Sequence, residues 1–281
     1  MNYLYHKNAI HISRVDLNVH DMKTSLDFYK NDLGFSVLNS NNDYVSLTLD
    51  YETEIIRLYE SKQKSSSNPN NLYHFALLLP SRRDLGKFLH HLIRKQIPID
   101  GAADHLVSEA IYLKDPDGFG IEVYCDRDDS AWTYIDNHIE MDNLPFDYKG
   151  VYYSINDNDL FVAFPPETII GHLHLQVTKF EAVADFYQKV IGFNITNKLF
   201  PKAIFMSDNQ YHHHLAINSW KKTNKNDGEE PRLKSFSITY PSCEKYLYTL
   251  KQIKEKNLNH QETNEGIMLS DPEKTSFYIK I

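Results

Sequence analysis

Residues 14–35, RVDLNVHDMKTSLDFYKNDLGF, alternate apolar and polar positions through Val19, then change to helical spacing until a glycine stops the helix. Residues 172–193, HLHLQVTKFEAVADFYQKVIGF, align with them without a gap. Leu17, Val19, Phe28, Tyr29, Gly34 and Phe35 recur as Leu175, Val177, Phe186, Tyr187, Gly192 and Phe193, so the chain has two related halves. The same strand-then-helix pattern begins again at Tyr73 and at Ser235. There Ser81 and Ser242 each follow a proline and are placed to cap helices over 81–96 and 242–257. Short alternating segments follow every helix: 44–49 and 54–59, 109–113 and 120–125, 203–206 and 211–218, 267–270 and 276–280. The pattern predicts four βαβββ units of α+β class, with polar linkers at 61–71 and 221–231. The longer connection at 127–167 is predicted to carry local structure of its own.

Parity along the predicted strands separates the side chains that pack under helices from those that share the opposite face. In unit three Leu173, Leu175 and Val177 pack, leaving His172, His174 and Gln176 on the inner face. In unit two His74 and Ala76 are inward on the first strand and Glu122 and Tyr124 on the last. In the strand predicted over 211–218, His213, Leu215 and Ile217 share the packed face, so His212 and His214 are expected to point inward. Units one and four lack such groups: Arg14 takes the place of His172, Ser235 that of His74 and Tyr278 that of Glu122. His74 and Glu122 are natural neighbours within unit two, and they can meet His172 only if unit two pairs with unit three.

Composition narrows the chemistry further. The 281 residues include 14 His and 19 Tyr but 2 Cys, and 30 basic against 38 acidic residues give a net charge of −8. Scattered lysines and arginines argue against a nucleic-acid surface, and no apolar run approaches the roughly 18 residues of a membrane-spanning helix. With no secretory signal read at the N-terminus, the expected compartment is the cytoplasm. Cys125 and Cys243 have no ligand or disulfide spacing and are expected as buried thiols. Most histidines, including His90 and His91 in mid-helix, read as structural or solvated, and most tyrosines as packing. Trp132, Tyr152 and Tyr153 in the middle connection are candidates to cover a pocket.

The βαβββ quartet resembles the vicinal oxygen chelate superfamily, which includes glyoxalase I and the extradiol dioxygenases. Residues 105–122, with His105, Tyr112, the Asp115-Pro116-Asp117-Gly118 turn and Glu122 in that order, are similar to the extradiol ring-cleavage signature. The match departs upstream, where Ala103 stands at a position the family usually gives to Gly, Asn, Thr, Ile or Val. The resemblance implies two domains with curved mixed sheets, over 9–126 and 168–281, joined by 127–167. It implies a catechol 2,3-dioxygenase-like enzyme using O₂ and a small aromatic substrate, with a metal held by His74, His172 and Glu122. Fe(II) is the metal expected, with Mn(II), Ni(II) and Zn(II) as alternatives, and the chain could form a homo-oligomer. His105 and Tyr112 are implied as groups that orient oxygens, and His212 or His214 as the acid–base residue. His214 is favoured because residues 215–218 continue as a regular strand; His212, His174 and Tyr124 are then expected against the substrate. The same fold also admits a metal-dependent glyoxalase-type lyase or isomerase, in which His214 becomes a fourth ligand, and a non-catalytic protein that binds small drugs.

Overall fold

The computed structural model describes residues 7–61, 72–156, 159–220 and 232–281; the predicted linkers, apart from Ser61, lie outside them. Unit one runs β1 (His11–Val19), α1 (Met22–Asp27), β2 (Ser36–Ser40), β3 (Val45–Thr48) and β4 (Ile56–Glu60). Unit two runs β5 (Leu72–Leu78), α2 (Arg82–Lys95), β6 (Gly101–Asp104), β7 (Ser108–Lys114) and β8 (Gly120–Asp126). The middle connection holds the two-residue strands β9 (Tyr134–Ile135), β10 (His138–Ile139) and β11 (Leu144–Pro145), then α3 (Tyr148–Tyr152). Unit three is β12 (Ile169–Gln176), α4 (Phe180–Phe186), β13 (Asn194–Asn197), β14 (Ala203–Ser207) and β15 (Leu215–Asn218). Unit four is β16 (Arg232–Thr239), α5 (Cys243–Glu255), β17 (Gln261–Thr263), β18 (Gly266–Ser270) and β19 (Ser276–Lys280). No helix among the described residues is long and apolar enough to cross a membrane.

The predicted caps form: the Ser81 hydroxyl accepts the Asp84 N–H at 3.2 Å and the Ser242 hydroxyl accepts the Lys245 N–H at 3.4 Å. In both copies of the Phe-Tyr repeat the helix widens into a π-helical turn, Phe28–Asp32 and Tyr187–Ile191. Gly34 and Gly192 follow in the left-handed region, at φ 77° and 100°, where a side chain would be strained. Each repeat tyrosine is fully buried, and its hydroxyl reaches the Asp-Pro turn of the next unit: Tyr29 to Asp115 at 2.9 Å, Tyr187 to Asp271 at 3.2 Å. These two bonds tie unit one to two and unit three to four.

The sheets run across the halves. One has the strand order β17-β18-β19-β16-β1-β4-β3-β2 and joins units four and one through antiparallel β16 and β1. The other, β11-β6-β7-β8-β5-β12-β15-β14-β13, joins units two and three through antiparallel β5 and β12. The repeats over 9–126 and 168–281 thus each give one unit to each mixed sheet. Phe75, Leu77, Leu173 and Leu175 are fully buried on the packed face, each contributing roughly 1.5–3 kcal/mol.

In the sheet of units one and four, Arg14 is buried at the place His172 holds in the other. Its guanidinium meets Asp16 and Glu265 at 2.7 Å each, while Arg57 pairs with Glu265 at 2.6 Å and also with Glu54. Charge pairing therefore fills the position that the other sheet gives to His172.

Two expectations fail. Cys243 is exposed, because it opens α5 directly after the Ser242 cap, and only Cys125 is buried. The strand predicted over 211–218 begins only at Leu215. Asn209 and Gln210 turn the chain at φ 58° and 62°, so residues 211–214 leave β14 as a tight connection, not as strand.

Candidate metal centre

Register assembles the site. In neighbouring strands His172 on β12 stands opposite Ala76 on β5, and Ala76 stands opposite Glu122 on β8. The small, fully buried Ala76 leaves space above it, and His172 and Glu122 close over it from either side. His74, two residues earlier on β5, shares the face and completes the group. Gly120 opens β8 so close to β5 that a Cβ there would lie 2.3 Å from the Tyr73 carbonyl oxygen. The short glycine thus sets the spacing between the strands that carry Glu122 and His74.

The donor atoms nearly touch. His74 Nε2 lies 3.0 Å and His172 Nε2 3.2 Å from the same Glu122 oxygen, and the two nitrogens are 3.2 Å apart. All three side chains are buried. Burial pushes the His172 imidazole down to about 4 against the pull of Glu122, so it is neutral at neutral pH and keeps a lone pair. For Glu122, burial opposes the charge, but the adjoining His172 and His74 overcome it and hold the carboxyl well below its usual range. At neutral pH the site therefore presents a neutral His172 imidazole and a Glu122 carboxylate, the protonation states in which these groups bind metals.

A cavity of about 480 Å³ opens over these atoms. Tyr73, His174, Phe200, Phe205 and Trp220 form an aromatic wall, while His105, Tyr112, Met141 and Asn143 lie among its other lining residues. Tyr112 pairs across the strands with Glu122, and its hydroxyl is 2.6 Å from His105 Nε2. Burial beside Glu122 raises the Tyr112 phenol well above its usual range, so it remains a donor. His174 Nε2 accepts an N–H from the Asn218 amide at 2.9 Å, which turns this imidazole toward the wall.

The histidine run behaves otherwise than strand parity predicts. His213, expected on the packed face, lines the cavity and lies over His172 with ring centroids 4.0 Å apart. His214, expected inward, is fully buried beside Phe193 and Tyr211 and accepts the Asp208 N–H; His212 is fully buried behind His213. The reason is the late start of β15: parity holds only along extended strand, and these three residues precede it. Tyr124 is likewise behind the site and not on the cavity wall, its ring against His172 at 5.0 Å and its hydroxyl on Tyr211. In the middle connection Trp132 is buried beside Tyr211 and His212, while Tyr152 stacks on His90; neither they nor exposed Tyr153 lines the cavity.

The model of the glyoxalase/bleomycin resistance protein/dioxygenase superfamily matches residues 11–123 and 169–269, the two repeat regions. The chain belongs to this superfamily. A superfamily relative, the catechol-2,3-dioxygenase of Bacillus subtilis (strain 168), is 34% identical over 271 residues, covering 93% of this chain and 94% of that protein. Among solved structures, a protein from Bacillus subtilis subsp. subtilis str. 168 superposes with a TM-score of 0.66 at 12% identity, covering 97% of this chain and 85% of its own. A glyoxalase I mutant of Zea mays gives 0.57 at 14% identity, covering 98% of this chain and 94% of its own. At such identities these two likenesses concern the superfamily fold alone.

The donor set fits a divalent metal ion. Three ligands on one face of an octahedron, with bonds of about 2.1 Å, lie about 3.0 Å apart, and tetrahedral ligands about 3.4 Å. The observed 3.0–3.2 Å lies within the range that such ligand sets span. His172 Nδ1 has no hydrogen-bond partner among the described residues, so its ring is held by the flanking His213 and Tyr124 rings. Sequence reasoning missed Phe200 and Trp220, which lie outside the strands where periodicity carries no direction, and also Phe205, although it lies mid-way along β14. It also missed Asp126, although the inward parity of Glu122 and Tyr124 extends to it along β8.

Proposed function

We propose that this protein is an extradiol ring-cleaving dioxygenase of a catechol-like substrate, with Fe(II) held by His74, His172 and Glu122. One observation carries the reading: three donors within 3.2 Å of one another on an aromatic cavity that His105 and Tyr112 also line. The full-length similarity to a catechol-2,3-dioxygenase supports it.

Fe(II) bound there would supply the redox chemistry that lets O₂ react with a chelated catechol. The chain's own residues do the rest. Tyr73, Phe205 and Trp220 enclose the aromatic ring and exclude water. Tyr112, whose hydroxyl meets His105 Nε2 at 2.6 Å while His105 Nδ1 donates to the Asp142 carbonyl, is fixed in place on the cavity and orients a substrate oxygen. His213, over His172 and on the cavity, takes the proton of a substrate hydroxyl and returns it to oxygen of the product. This reading gives the acid–base role to His213 in place of His214, because His213 and not His214 lines the cavity. In the overall reaction one ring C–C bond beside the two hydroxyl carbons breaks, and both atoms of O₂ enter the product.

The test is O₂ uptake by anaerobically purified, iron-loaded protein given catechol and substituted catechols. One O₂ consumed per yellow ring-fission product supports the proposal. Turnover of a thiol–methylglyoxal adduct without O₂ in the nickel or zinc form, with no ring cleavage in the iron form, overturns it in favour of lyase chemistry. Tight binding without turnover under any of these metals overturns it in favour of a binding protein.

A further inference from the structure

Behind the cavity a chain of hydrogen bonds leads from a partly exposed carboxylate to His213. Along β8, Glu122, Tyr124 and Asp126 share a face. The Asp126 carboxylate lies 3.0 Å from His212 Nε2 and accepts the Tyr211 hydroxyl at 3.0 Å. His212 Nδ1 is 2.7 Å from His213 Nδ1, and His213 makes no other hydrogen bond among the described residues.

The proton positions follow from chemistry. An ionised carboxylate can only accept, so His212 carries its hydrogen on Nε2 and offers a lone pair at Nδ1. Two bare nitrogens cannot share a contact of 2.7 Å, so His213 Nδ1 carries the N–H that His212 Nδ1 accepts. A neutral His213 is then unprotonated at Nε2. We propose that Asp126 and His212 are positioning residues that hold His213 as the Nδ1–H tautomer, leaving the Nε2 lone pair as its acceptor toward the cavity.

The use of that lone pair rests on the dioxygenase reading; the tautomer does not. With a catechol bound, the substrate O–H bond breaks, its electron pair stays on oxygen, and the proton forms the Nε2–H bond of His213. The resulting imidazolium donates through His212 toward the Asp126 carboxylate, which offsets its charge. The proton returns by the reverse step when product oxygen needs it.

Long-range proton–nitrogen NMR of nitrogen-15-labelled, metal-free protein reads the tautomer directly, with the His213 signals assigned by their loss in His213→Gln. The wild type is expected to show a protonated Nδ1 and a bare Nε2 at His213. Asp126→Asn can present an N–H to His212 and is expected to shift His213 toward the Nε2–H form, with Asp126→Glu restoring the original one. In iron-loaded protein Asp126→Asn is expected to lower kcat roughly tenfold to a hundredfold, as loss of such orienting bonds does, with KM and iron stoichiometry little changed. Adding Asp126→Asn to His213→Gln is expected to cost almost nothing more. A wild-type His213 protonated at Nε2, an unchanged tautomer in Asp126→Asn, or a full further loss in the double variant overturns the proposal. Should Asp126→Asn fail to fold, the wild-type spectrum and His212→Gln decide by the same criteria. The expected tautomer in a protein that cleaves no catechol would overturn the dioxygenase reading while leaving the positioning role in place.

Discussion

Glu122 sits where two imidazoles and a phenol converge, and its charge holds them together. Glu122→Gln keeps the shape and removes the charge, so metal affinity is expected to fall by at least roughly tenfold, read by metal analysis after anaerobic dialysis. Stoichiometric metal in that variant would remove Glu122 from the ligand set. Tyr112→Phe deletes only the hydroxyl that meets His105; it is expected to retain metal and to lose roughly tenfold to a hundredfold in kcat. At this scale the sequence was legible wherever a residue lies on regular strand. His74, His172 and Glu122 meet because strand parity governs them, whereas His212, His213 and His214 precede a strand and parity misassigns them.

Among the elements, β5 matters for what it lacks. Ala76 leaves room for the side chains that close over it from β8 and β12, and Ala76→Leu would fill that space. The variant is expected to fold, with the same far-ultraviolet circular dichroism, but to lose metal stoichiometry; retained metal would show that the gap is not required. The Asp-Pro turns carry a pH dependence. Burial outweighs the bonds from Phe119 and Tyr29 and raises the Asp115 carboxyl from 3.8 to about 6; Asp271 behaves alike. Because the folded value is the higher one, the protonated form favours folding. That contribution is complete below about pH 4 and is lost as pH rises through about 6. Relative to Asp115→Asn, the wild type is therefore expected to lose stability on the order of 3 kcal/mol between pH 4 and pH 7. Urea denaturation at the two pH values checks this, and a flat difference would refute it. Helices, caps and most strand segments were visible in the apolar spacing and the Ser-after-Pro positions, since those signals are local. The turn at Asn209 and Gln210 was not, because neither residue demands a positive φ.

At the scale of the whole molecule, metal would bridge two units from different halves. Adding Fe(II) or Zn(II) to the metal-free protein is expected to raise Tm, with stabilisation of about 2.7 kcal/mol when free metal is a hundredfold above Kd. Glu122→Gln should abolish the rise. In the other sheet, Arg14→Ala would remove the ionic partner of buried Asp16 and leave it the Ser235 hydroxyl, at an expected cost of roughly 3–5 kcal/mol in chemical denaturation. Metal stoichiometry should survive it, since the proposed ligands belong to units two and three.

The sequence by itself determined the four-unit repeat and the α+β class. Both rest on periodicities of 2 and 3.6 that need no partner to be read. It also set the condition that unit two must lie against unit three. Only the tertiary structure met that condition, through the antiparallel contact of β5 with β12, because strand pairing between distant segments depends on how whole packed faces fit. The same holds for the cavity and for His213, whose direction is fixed by a turn and by the rings around it rather than by any period along the chain.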